Sequence, residues 1–137
     1  MTEEKFKQYR DYFNNLLVFS DNENKLNELT RQLPQIYQTA IGIFSDQLKE
    51  TKDTMTMRDE TYGKLYKKFK DNHNRNYTTK EIDIMIKADP LYKKIAYDLN
   101  NQEMYLDYMK QTIDNIKSIQ WNVKNYMDIK KFYTGDY

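Results

Sequence analysis

The residues best equipped for chemistry in this chain are cations. Between Thr61 and Lys80 stand Lys64, Lys67, Lys68, Lys70, Arg75 and Lys80 against one carboxylate, Asp71, with Tyr62, Tyr66, Phe69, His73 and Tyr77 interleaved. Ammonium and guanidinium groups neutralise phosphates, and flat rings offer faces on which bases stack, so this is what an unpaired nucleic-acid strand requires of a protein. Lysines and tyrosines are also what an AT-rich genome writes into any chain, and tyrosines at helical spacing commonly sit at the edge of a core.

The groups needed for catalysis are scarce. His73 is the only histidine, so neither a histidine-rich metal site nor a Ser-His-Asp arrangement can be assembled, and the absence of cysteine removes thiolate ligands, cysteine nucleophiles and disulfides. Gly42, Gly63 and Gly135 are isolated from one another and cannot form a phosphate-cradling loop. Acidic neighbours such as Asp59 and Glu60, or Glu81 and Asp83, read as solvated helix faces. The expectation is a protein without catalytic residues, metal or cofactor, and not an enzyme.

The elements that must position the cations are helical. Three glycines and two prolines in 137 residues leave few sites for tight turns, which argues against a sheet-rich fold. From Asp89 to about Phe132 the spacing predicts one uninterrupted helix, with Asp89 as N-cap and Pro90 at the first helical position. Placing Leu99 at heptad position a puts Leu99, Gln102, Leu106, Met109, Ile113, Ile116, Gln120, Val123, Met127 and Lys130 at a and d. Tyr105, Ile119, Tyr126 and Tyr133 at g widen the stripe, and a wide stripe suits two neighbours rather than one. Lys110, Lys117, Lys124 and Lys131 recur at e, where their stems can cover apolar surface while the ammonium groups stay in water. This pattern predicts self-association through Leu106, Met109, Ile113, Ile116, Ile119, Val123 and Met127. An ordinary core-facing helix with a lysine edge has the same pattern.

Upstream, Phe6, Tyr9, Phe13, Leu16 and Leu17 share one face of a helix spanning about Glu3 to Phe19, and residues 20–24 break it. Asp21 or Asn22 can cap a second helix with Leu26, Leu29, Leu33, Ile36, Tyr37, Ala40 and Phe44 on its face, kinked at Pro34. Residues 48–70 carry few large apolar groups and read as an extended, weakly packed helical arm. A loop over 71–79 leads to a capping box, Thr78 with Glu81, and a short helix bearing Ile82, Met85 and Ile86.

Only 39% of the chain is apolar and mean hydropathy is −1.02, which makes a thin core that copies of the chain could supplement. Residues 1–60 hold eight Lys/Arg against eleven Asp/Glu, and residues 61–137 fourteen against ten, so an overall charge of +1 conceals a polarised chain. Nothing approaches the roughly eighteen apolar residues of a membrane helix, and the first residues lack the order of a signal peptide, so a cytosolic location is expected. The organisation reads as an N-terminal helical region, 1–88, carrying the basic segment 61–80, and a long C-terminal helix, 89–137, in one continuous domain.

From Thr79 onward the chain resembles a known family. Thr79-Lys-Glu-Ile through Ala88-Asp89, then Ile113-Asp-Asn-Ile-Lys-Ser118, Trp121-Asn-Val-Lys-Asn125, Asp128-Ile-Lys-Lys-Phe132 and Gly135 are similar, in order and without an evident gap, to the UvsY-like recombination mediators of T-even phages. Total length matches as well, and upstream the similarity is confined to a leucine-rich helical pattern and a basic helix end. The resemblance implies an all-α accessory factor that binds single-stranded DNA and loads a UvsX-like recombinase onto strands occupied by single-strand-binding protein. It implies a ring-like homo-oligomer, a hexamer or heptamer, joined through C-terminal helices, working in the cytoplasm of the infected bacterium. A Leu-Lys-Ala-Arg-Leu segment is linked to DNA binding in that family, and its nearest counterpart is Leu65-Tyr66-Lys67-Lys68-Phe69. Leu65 and Lys68 correspond in type; Tyr66 stands at the family's first basic position, with Lys67 and Lys70 close by. The DNA-binding residues expected on both grounds are Lys64, Tyr66, Lys67, Lys68, Lys70 and Arg75. Taken alone, the residues also accommodate a helical scaffold or adaptor, or an RNA-binding or nucleoid-associated factor.

Overall fold

Each helix begins where a side chain can satisfy its first free N–H groups. Thr2 Oγ1 accepts from the Lys5 N–H at 3.2 Å and opens α1, Glu3–Leu16, whose first-turn glutamates Glu3 and Glu4 suit the positive pole of the helix dipole. Asn22 Oδ1 accepts from the Lys25 N–H at 3.2 Å and opens α2, Glu23–Asp71. Thr78 Oγ1 accepts from the Glu81 N–H at 3.2 Å ahead of α3, Thr79–Ala88. The Asp89 carboxylate accepts from the N–H groups of Leu91 and Tyr92 at 3.0 and 3.1 Å and opens α4, Pro90–Thr134. The structure is a computed structural model and describes residues 1–19, 22–71 and 76–135, which contain helices and no strand. No helix among them is long and apolar enough to cross a membrane.

One boundary differs from the sequence reading. α1 stops at Leu16, and the Phe19 ring beyond it meets Tyr126 edge-on at 6.0 Å. The extended helical arm expected over 48–70 is the continuation of α2, which runs on to Asp71. Pro34 lies inside α2, where its missing N–H deprives only the carbonyl of Thr30, an exposed residue, and the helix runs through.

The chain forms two compact units, Met1–Asp46 with Tyr105–Tyr137, and Gln47–Met104. In the first, α1 and the early part of α2 pack on the later part of α4. Phe13, Leu26, Leu29, Leu33, Ile36 and Ala40 share one core with Met109, Ile113, Ile116, Ile119 and Val123. Phe6 extends it, its ring 4.8 Å from Tyr105 and 5.0 Å from Tyr108. α4 therefore has two neighbours, in keeping with the width of its stripe, and the buried face is centred on heptad positions d and g. The second unit buries Ile82, Ile86, Ile95 and Leu99. Gln47 and Thr51 are also buried there: Thr51 Oγ1 donates to the Gln47 carbonyl at 2.8 Å and accepts from Gln47 Nε2 at 3.1 Å.

Candidate nucleic-acid interface

The end of α2 decides how the basic segment is displayed. At 3.6 residues per turn, Lys64, Lys67 and Lys68 fall on one face and Lys70 at its edge, and all four are exposed. Tyr62, Leu65 and Phe69 fall on the opposite face and are half-buried. Tyr66, also half-buried, sits between that inner face and Lys70. The rings that alternate with lysines in sequence are thus sorted to the other side of the helix, where they anchor it. Arg75 and His73 lie outside the described residues.

The anchor is specific. Tyr62 Oη donates to Asp83 Oδ1 of α3 at 2.7 Å, and Lys87 Nζ meets Asp83 Oδ2 at 3.0 Å one turn on. The Tyr62 ring approaches Tyr92 of α4 at 6.1 Å. The Tyr62 hydroxyl and then the Lys87 ammonium hold the Asp83 carboxyl below its ordinary range. In return Asp83 raises both Tyr62 and Lys87 above theirs, chiefly through the hydrogen bonds. The i,i+4 pair of Asp83 and Lys87 is legible in the sequence. Nothing local signals Tyr62 as their partner, because it lies 21 residues away on another helix.

Lys68 and Lys70 occupy the last turn of α2, where cations complement the negative pole of the helix. A phosphate approaching this end meets that pole, so the lysine side chains must supply all of the attraction. What the arrangement offers is a cationic helix face for a polyanion.

The residues expected to join copies of the chain are placed differently from one another. Met109, Ile113, Ile116, Ile119 and Val123 are buried against α1 and α2 of their own chain, with Met109 and Ile116 at 0% exposure. Leu106 and Met127 are half-buried, and Met127 packs at the margin of the same core. The large apolar groups that α4 leaves exposed are Leu91, Tyr97, Met104, Trp121, Ile129, Phe132 and Tyr133.

The class these features define is an all-α protein that carries its charge on open helix faces. Residues 11–136 match the family model described as recombination, repair and ssDNA binding protein UvsY. The chain belongs to the UvsY family, whose role is recombination mediation in phage. Its fold is similar to crystal structures of the bacteriophage T4 recombination mediator protein UvsY. One aligns with a TM-score of 0.81 at 16% identity over 98% of both chains. A second crystal form aligns at 0.79 and 16% identity, covering 93% of this chain and 98% of the other. A third aligns at 0.74 and 17% identity, covering 90% and 97%. No curated protein sequence matches.

Proposed function

We propose that this protein binds single-stranded DNA and promotes loading of a UvsX-like recombinase onto strands covered by single-strand-binding protein, during phage recombination, repair and recombination-dependent replication in the host cytoplasm. The observation that carries the reading is the coincidence of two facts. The family match spans nearly the whole chain, and Lys64, Lys67 and Lys68 stand together on a helix face held outward by Tyr62 and its partners. Lysine ammonium groups recognise phosphates without reading bases, so binding is independent of base sequence. One such face is weak. A ring-like homo-oligomer, hexamer or heptamer, repeats it around one strand, and the high effective concentration of the later contacts turns weak patches into tight binding. A strand held in this way is strained out of the geometry the resident single-strand-binding protein needs and is open to the recombinase.

Replacing Lys64, Lys67 and Lys68 together with Ala tests this reading in titrations of labelled oligo(dT) at several salt concentrations. Each lost phosphate contact lowers the slope of log affinity against log salt by about 0.7, so the triple variant is expected to lose about 2 from that slope and to bind more weakly. An unchanged slope overturns the placement. A parent protein that ignores oligo(dT) in dilute buffer overturns the function.

A further inference from the structure

Lysines 110, 117, 124 and 131 are not absorbed by the interface at the end of α2. They belong to the first unit, recur every two turns of α4, about 10.5 Å apart, and all four are exposed. None forms an ion pair among the described residues. Two grooves between α2 and α4 have these lysines as one wall. Lys110 and Lys117 border a groove floored by Tyr37, Ile41 and Phe44. Lys124 and Lys131 border another, floored by Leu33, Pro34 and Val123. Asp114 and Asp128 also line these grooves and moderate the field without cancelling it. Beside the column, one turn from both Lys117 and Lys124, the Trp121 ring is 62% exposed, with the Lys124 ammonium 6.0 Å from its centroid.

We propose that the lysine column of α4, with Trp121 beside it, is a second contact surface for single-stranded DNA, separate from the basic end of α2. The proposal rests on the single-strand-binding reading above and adds a second surface to it. Two chemical features select the occupant. The cationic wall calls for a polyanion, and an apolar floor with a large open ring calls for flat, stackable groups between the charges. A single strand has both. An acidic peptide would use the lysines and leave the ring and floor unexplained, and duplex DNA keeps its bases stacked inside.

Trp121 is the only tryptophan, so its emission reports on this surface alone. The experiment titrates the full chain with oligo(dT), following anisotropy of a label on the oligonucleotide and Trp121 emission excited at the red edge, beyond tyrosine absorption. Quenching of Trp121 with the same midpoint as the anisotropy is expected. The double variant Lys117→Ala with Lys124→Ala, its helix content checked by circular dichroism, is expected to bind several-fold more weakly, with a salt slope lower by about 1.4 and reduced quenching. Anisotropy showing full binding while Trp121 emission and the variant's slope stay unchanged overturns the second surface and leaves the first intact. Failure of any binding by anisotropy overturns the single-strand reading instead. Quenching by oligoglutamate but not by oligo(dT) overturns the proposal in favour of an acidic peptide. If iodide and acrylamide cannot reach Trp121 in the free protein, another copy covers it, and the proposal falls.

Discussion

Tyr62 illustrates what a single residue decides here. Its ring and hydroxyl fasten the end of α2 to α3 and α4, and the exposure of Lys64, Lys67 and Lys68 follows from that fastening. Because Asp83 titrates below its ordinary range in the folded chain, its contribution is present at neutral pH and is lost as pH falls through the depressed value. Tyr62 and Lys87 titrate above theirs, so their contribution is present below about pH 10 and fades as pH rises beyond it. Tyr62→Phe should therefore lower the melting temperature at neutral pH, and the gap from the parent should narrow on acidification. Melts followed by circular dichroism at neutral and acid pH check this; a gap independent of pH would show that Asp83 is not the partner that matters. From the sequence Asp83 reads as part of a solvated acidic face with Glu81, and Tyr62 as one more ring in a basic segment; the structure joins the two.

The decisive element is α4. Its N-cap, Asp89, and its first residue, Pro90, lie where the sequence places them, and so does the apolar stripe from Met109 to Val123. Periodicity reports that a face is covered, and it is silent on whether the cover comes from the same chain or another. Here α1 and α2 supply it, with Phe13 and Ile36 in the same core as Ile116. Ile116→Ala is expected to cost about 2–5 kcal/mol of folding stability, the range for emptying a fully buried aliphatic site, as measured by urea denaturation. A loss well under 1 kcal/mol would mean that α1 and α2 do not close over this stripe. Charge placed there by Ile116→Glu should melt the helices themselves, because an unpaired carboxylate has no partner in that core. α4 also carries Trp121, Ile129 and Phe132 on its outer side, so its apolar residues are not confined to one stripe.

For the whole molecule, assembly is the property on which tight binding by weak cationic faces depends. With the d and g stripe filled inside the chain, exposed apolar groups near the end of α4, Trp121, Ile129 and Tyr133 among them, can meet either a DNA strand or a second copy. If the proposed ring forms, sedimentation equilibrium at micromolar protein should give six or seven times the 16.8 kDa chain mass, and Lys64→Ala with Lys67→Ala and Lys68→Ala should leave that mass unchanged. A strictly monomeric parent would remove the avidity on which the proposed mechanism depends.

Local signals alone determined the all-α class, the caps at Thr78 and Asp89, the run of α4 and the set of exposed lysines, because capping, propensity and periodicity act within a few residues of one another. Tertiary structure alone decided three things. It buried Thr51 in the arm that reads as weakly packed, sorted the aromatic residues of the basic segment away from its lysines, and covered the α4 stripe with α1. The physical reason is common to all three. Burial is settled by which surfaces meet in space, and the partners of Tyr62 and Ile116 lie on helices too distant along the chain for any local pattern to name them.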